Sequence, residues 1–189
     1  MQIDNLAEDA DSFTANAFLL SETALIDTGS DPIVLERLDS IYQVAITHTH
    51  HDHIENLPQI VDQHSPTIYA YEPDNLPVDA EQVQDRDNID LAGSSFNILH
   101  TPGHKDDSIC LFHEKSGTLF SGDLIFPDGS FGRTDLEEGN RDTLIKSIER
   151  ITRLDVQALY PGHDSPTTTE VNQQIQQSLK EAKKREPKY

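Results

Sequence analysis

The stretch Thr47-His48-Thr49-His50-His51-Asp52-His53 decides how the rest of the chain is read. His48, His50, Asp52 and His53 form the pattern H-x-H-x-D-H. A neutral imidazole offers one nitrogen lone pair and an aspartate offers oxygen, so this run can supply half the ligands of a two-metal site. Before it, Val44-Ala45-Ile46 is a short apolar run that ends a buried strand. After it, Ile54, Leu57, Ile60 and Val61 recur at helical spacing. The donors therefore sit on a strand-to-helix turn, at the edge of an α/β sheet where chemistry is usually placed. A histidine tag would lie at a terminus and would carry no interleaved aspartate.

The chain has 189 residues, with Lys+Arg 14 against Asp+Glu 34 and a formal net charge of −20. This length supports one sizeable core, and no linker or composition break divides it, so residues 1–189 read as one domain. The charge repels phosphate backbones and anionic membrane surfaces, which argues against nucleic acid and membrane as partners. Self-repulsion of this size opposes a compact state unless salt screens it. The acidic excess, with only seven lysines, points to a halophilic protein of a high-salt cytoplasm. An ordinary acidic cytosolic enzyme is the alternative. Cys110 is the single cysteine, so no intrachain disulfide forms, and its neighbours Ile109 and Leu111-Phe112 suit a buried hydrophobe better than a nucleophile. The N-terminus lacks a basic region and no apolar run approaches the ~20 residues that span a bilayer. The expectation is a soluble, cytoplasmic protein.

Residues 13–20 and 23–26 read as two strands of a hairpin joined at Ser21-Glu22. Asp31-Pro32 opens a short helix, with Asp31 as its cap. Residues 67–71, 88–92, 95–99, 109–112, 118–120 and 156–160 read as strands. A helix is expected over about 141–153, with Leu144, Ile145, Ile148 and Ile151 on one face. A last helix is expected from near Thr167, where Thr167-x-x-Glu170 has the form of a capping box. The elements fall into two comparable halves that meet near residue 93.

Three later strands each lead to a potential ligand. Residues 96–103 lead to His104, residues 118–122 to Asp123 and residues 156–162 to His163. In each case a glycine immediately precedes the donor, which lets the backbone turn sharply and approach closely. One Pro-Gly-His alone is a weak signal. Two of them and a Ser-Gly-Asp, all downstream of H-x-H-x-D-H, are a strong one.

With these pieces in order, Thr47 to His53, Thr101-Pro102-Gly103-His104, Ser121-Gly122-Asp123 and Pro161-Gly162-His163, the chain resembles the metallo-β-lactamase fold superfamily. The resemblance implies a four-layer αβ/βα sandwich with the metal site on the seam, at strand ends. It also implies the ligands: His48, His50 and His104 for one metal, Asp52, His53 and His163 for a second, and Asp123 bridging. Gly132-Arg133-Thr134-Asp135-Leu136 looks like the glyoxalase II-like branch and its persulfide dioxygenase relatives. Full-length glyoxalase II resembles this chain only up to His163, after which it carries a helical domain; here 26 residues follow. Ser165 also stands where that family often has a tyrosine, which puts glutathione itself in doubt as the thiol.

Two divalent ions, zinc first with iron or manganese as alternatives, would lower the pKa of a bridging water and polarise a carbonyl. Asp52 would orient the resulting hydroxide as well as bind metal. A thiolate leaves without strong acid assistance because its conjugate acid has a pKa of ~8.5, so thioester hydrolysis is the comfortable reaction. Arg133 is the candidate to bind a substrate carboxylate, unless it pins its loop to Asp135. The small-molecule acyl-thiol is the expected partner, with a monomer or homodimer as the assembly. The rival reading is a mononuclear iron persulfide dioxygenase using His48, His104 and Asp123. A lactonase is less favoured, because Phe126 stands where those relatives usually have tyrosine. His51, His64, His100 and His113 fit no ligand slot. Lys180, Lys183, Lys184, Arg185 and Lys188 complement the dipole at a helix C-terminus.

Overall fold

The computed structural model describes residues 1–184. Two sheets face each other. The first has six strands in chain order: β1 (Ile3–Asn5), β2 (Phe18–Leu20), β3 (Ala24–Ile26), β4 (Gln43–Ala45), β5 (Thr67–Ala70) and β6 (Glu81–Gln82). The first two pairings are antiparallel and the next three parallel. The second sheet runs β11 (Ala158–Pro161), β10 (Thr118–Gly122), β9 (Ile109–His113), β8 (Ser94–His100) and β7 (Asn88–Leu91). Helices α1 (Ile33–Glu36), α2 (His51–Ile54) and α3 (Leu57–His64) belong to the first half, and α4 (Arg141–Ile151) and α5 (Val171–Lys183) to the second.

Strand alternation builds the layers. In β9, Ile109 and Leu111 enter the core between the sheets while Cys110 and Phe112 enter the core under α4 and α5. In β3, Ala24 and Ile26 face the second sheet while Leu25 packs with Val34, Leu57 and Ile60 of the first-half helices. Side chains on successive residues point to opposite faces, so a strand buried on both sides serves two cores at once. Three buried clusters thus fill the three spaces of a four-layer αβ/βα sandwich. Cys110 lies at 0% exposure in the outer core, where burial pushes its thiol up to about 12, so it is the inert hydrophobe expected.

The hairpin expected at Ser21-Glu22 is present, with Phe18 opposite Ile26 and both turn residues at positive φ. Its first strand starts at Phe18, not Phe13, because residues 12–16 are diverted to bond with the Asp31 and His163 loops. Asp31 accepts from Ile33 N–H at 3.0 Å, but α1 starts one residue later than expected, with Pro32 and not Asp31 in the cap position. The capping box at Thr167 does not form. Thr167 pairs its backbone with Leu159, α5 begins at Val171, and Glu170 has a left-handed backbone with no side-chain cap. The sheets change over between Gln82 and Asn88, slightly before residue 93, since the 94–100 strand stays in the same sheet as 88–91. Short edge strands β1 and β6 were not anticipated; two or three residues give no visible alternation.

The C-terminal cations are paired within their own neighbourhood. Lys183 meets Glu149 at 2.6 Å and Lys184 meets Glu181 at 2.5 Å, while Arg141 donates to the Ala182 and Lys184 carbonyls at the end of α5. Arg185 and Lys188 lie outside the described residues. Among the described residues no helix is long and apolar enough to cross a membrane.

Excess negative charge on this surface has a measurable consequence. We expect the melting temperature to rise by roughly 10 °C or more between low salt and 2 M KCl, as screening removes self-repulsion worth several kcal/mol. A flat response in differential scanning calorimetry would remove the halophilic reading.

Candidate metal centre

The site forms where strand ends of both sheets meet. The loop after β4 carries Thr47 to His53, with His51–Ile54 turning into α2. The loop after β8 carries His104, and Asp123 and His163 follow just after the ends of β10 and β11. All seven residues predicted as metal ligands converge. Donor atoms of His48, His50 and His104 lie within 4.8 Å of one another, as do those of Asp52, His53 and His163, and those of His48, His53 and Asp123. His50 Nδ1 is 3.1 Å from His48 Nε2 and 2.9 Å from His104 Nε2. Nitrogens around a tetrahedral zinc stand about 3.3 Å apart, close to these separations. Asp123 is 3.4 Å from both His53 Nε2 and His104 Nε2, and 3.6 Å from His163 Nε2.

The glycines before the ligands act as expected. A Cβ on Gly162 would lie 2.2 Å from Asp123 Oδ1 and 2.8 Å from His53 Cε1, so only glycine lets this strand end pass the site. Gly103 holds φ +131° against the backbone of Leu144.

The electrostatics favour a cation. Burial and the neighbouring imidazoles hold His48 well below its ordinary value, and burial likewise lowers His50 and His104, so these rings are neutral donors. Burial opposes ionisation of Asp52, but its bond from His163 and the nearby His53 hold it at about 2. Burial also opposes charge on His53, yet the Asp27 and Asp123 carboxylates on either side raise it to about 10. His53 Nε2 and Asp123 Oδ1 are buried and find no hydrogen-bond partner among the described residues. They face each other at 3.4 Å, so in the absence of a metal these two atoms balance only one another, and a cation between them would bind both. The residues fit a metal ion.

Supporting residues escaped the sequence reading. Asp27, almost fully buried, accepts from Thr47 N–H and Thr47 O–H, each at 2.7 Å, and from His53 Nδ1 at 2.8 Å. That contact assigns the proton to Nδ1 and turns Nε2 toward Asp123. The available signal was an acidic residue closing a fully buried strand at the same sheet edge as His48. Asn16 donates to the Pro161 and Asp164 carbonyls at 2.9 and 2.8 Å, tying the N-terminal segment to the His163 loop. Asp107 accepts from Thr49 N–H and O–H at 3.2 and 2.5 Å, and buried Lys105 meets Glu138 at 2.9 Å. These residues hold the His50 and His104 loops together.

Arg133 is placed at the rim. Its carbonyl lies 2.9 Å from His104 Nδ1, and its guanidinium pairs bidentately with Asp135 at 2.8 Å. The other histidines stay outside the cluster. His51 pairs with Glu55 at 3.3 Å, His100 stacks on Tyr71, and His113 meets Ser116.

A four-layer αβ/βα sandwich whose strand ends gather five histidines and two aspartates on one seam defines a metallo-β-lactamase-type domain. Residues 11–163 match the family model of the metallo-beta-lactamase superfamily, and the chain belongs to that superfamily. It is 35% identical over 123 residues to a hydroxyacylglutathione hydrolase of Francisella tularensis subsp. novicida, covering 64% of this chain and 48% of that protein. The chain thus spans about half the length of the curated relatives it matches. Among solved structures, the BLEG-1 B3 metallo-beta-lactamase superposes with a TM-score of 0.76 at 24% identity, covering 95% of this chain and 97% of the other. The di-iron-bound form of TTHA1623 gives 0.72 at 26% identity, covering 89% and 94%.

Proposed function

We propose that the protein is a binuclear metal-dependent hydrolase of thioesters, acting on small acyl-thiols in the cytoplasm. What supports this most is the convergence of His48, His50, Asp52, His53, His104, Asp123 and His163, two of whose donor atoms are buried without a hydrogen bond. The 35% identity to a hydroxyacylglutathione hydrolase favours thioesters over other esters. Two divalent ions held by His48, His50 and His104 and by Asp52, His53 and His163, with Asp123 shared, would supply an acidified water and a Lewis acid for the acyl carbonyl. Zinc is the metal proposed, with iron or manganese as alternatives.

The chain's own residues do the rest. Asp52, a carboxylate at neutral pH, accepts a hydrogen bond from the attacking water and orients it. Asp27 and Thr47 hold His53 in place. The thiolate leaves unprotonated, since its conjugate acid has a pKa of ~8.5, whereas an amine would need an acid that the site does not offer.

Arg133 is proposed to bind a carboxylate on the thiol portion, and its present partner sets the terms. Asp135 occupies the Nε/Nη2 edge of the guanidinium, so a substrate carboxylate must displace it there or compete with its charge at the Nη1 end. We expect Asp135→Asn to lower KM for carboxylate-bearing thioesters by roughly three- to tenfold relative to uncharged ones. An unchanged KM ratio would assign Arg133 to loop pinning alone.

Thiol release from a panel of thioesters in molar KCl, with Zn²⁺, Mn²⁺ or Fe²⁺, tests the function. The panel should carry lactoyl esters of glutathione and of smaller thiols, because the chain spans about half of its glutathione-ester relatives. The second reading is a mononuclear iron persulfide dioxygenase that would use only His48, His104 and Asp123, all of which are present at this site. Silence across the panel with oxygen uptake on a persulfide and Fe²⁺ would select it.

A further inference from the structure

Phe13 is a large apolar side chain that folding does not bury: 79% of it is exposed, more than any other large hydrophobic residue among those described. Leaving a phenyl ring in water forgoes the favourable burial of its apolar surface. Its setting is not loose. Thr14 accepts from Ser30 N–H at 2.7 Å, Ala15 N–H donates to the Asp52 carbonyl at 3.3 Å, and Asn16 N–H donates to the Gly162 carbonyl at 2.7 Å. Ser12 donates to Asp31 on the other side at 2.6 Å. The backbone on both flanks of Phe13 is thus anchored, and the ring is held out over the site.

There it stacks on His163, with centroids 5.0 Å apart and planes 19° from parallel. Half-buried Phe126 approaches the same imidazole at 6.3 Å. Two phenyl rings therefore flank His163. The other margin differs in character. Arg133 is tied through its carbonyl to His104, and His104 and His163 belong to different ligand groups that both reach Asp123. A thioester lying across Asp123 then meets the loop of Arg133 near His104 and hydrocarbon near His163. An anionic thiol portion goes to Arg133, which leaves the acyl chain to the phenyl rings.

Building on the thioesterase reading, we propose that Phe13 and Phe126 are specificity-determining residues that receive a hydrophobic acyl group. The substrate class is accordingly aryl- or alkyl-acyl thioesters, favoured over small polar ones. Stacking on His163 keeps the Phe13 ring oriented, and its outer face remains for the acyl group.

The test is the ratio of kcat/KM for phenylacetyl and lactoyl esters of one thiol, measured for the wild type, Phe13→Ala and the volume-conserving Phe126→Leu. Phe13 is exposed, so its loss leaves the core intact. We expect Phe13→Ala to lower the phenylacetyl-to-lactoyl ratio by roughly five- to tenfold, and Phe126→Leu to lower it less. An unchanged ratio overturns the proposal and reduces Phe13 to a cover for His163. A second readout needs no turnover: phenylacetate and acetate binding to the zinc-loaded protein by calorimetry. Weaker phenylacetate binding to Phe13→Ala, with the acetate comparison unshifted, supports the wall even if every thioester proves inert, and the thioesterase reading alone then falls. No difference in binding removes the wall whatever the turnover.

Discussion

Replacing Asp52 by alanine is expected to abolish thioester turnover, lowering kcat/KM by roughly 10³-fold or more. The effect follows from where the carboxylate sits. Its Oδ2 is 3.1 Å from His163 Nε2, and it stays ionised down to about pH 2. It is the acceptor proposed to orient the water and to share a metal with His53 and His163, so alanine removes both roles at once. The same variant separates the two proposed chemistries. An iron oxygenase confined to His48, His104 and Asp123 would keep most of its oxygen uptake in Asp52→Ala, because Asp52 is not one of its three ligands. Metal content by mass spectrometry, measured beside the rate, tells loss of an ion from loss of the orienting base. A thioesterase rate within tenfold of wild type would sink the assignment of Asp52.

Asp27→Asn should weaken metal binding by roughly 10- to 100-fold. Aspartate and asparagine have the same shape, and both tolerate the left-handed backbone, φ +57°, found at this position. The substitution therefore isolates the chemistry. Asp27 accepts three hydrogen bonds, two from Thr47 and one from His53. An amide has one acceptor oxygen and brings an NH₂ donor, so at least one of these donors meets another donor in a buried place. The His53 ring then loses the contact that turns Nε2 toward Asp123. Chelator competition at fixed pH reads the affinity, and differential scanning calorimetry of the same variant reads the stability. Unaltered affinity would mean that backbone packing alone positions His53.

Much of this site was legible along the chain because its parts are local. H-x-H-x-D-H puts four donors on one turn, and the backbone of that turn carries them wherever the strand ends. His104, Asp123 and His163 could be found because each follows an apolar run and a glycine, and close approach at a strand end demands glycine. Gly162 confirms the reason, since even a methyl there would strike Asp123 and His53. The layer order came with the resemblance; the strand reading was direct where an apolar run is long enough, as in Ile109 to Phe112. It failed where elements are too short to show a period, as in Glu81–Gln82, or where a local pattern had a stronger tertiary competitor. Thr167 is of that second kind: the Leu159 backbone offers it two ladder hydrogen bonds, at 2.9 and 3.0 Å, in place of a cap.

The motifs of the sequence pointed, through the resemblance they carry, to the superfamily, the four layers and the seven side chains that meet, because each motif lies within a few neighbouring residues. Only the tertiary structure decided what each of these groups faces. Asp27 beneath His53, Asp135 across Arg133 and Phe13 over His163 have no signature of their own, for an aspartate or phenylalanine in a loop reads the same whether it meets water or an imidazole. Their roles come from partners that the fold brings together from distant parts of the chain, 26 residues apart for Asp27 and His53 and 145 for Asn16 and Pro161.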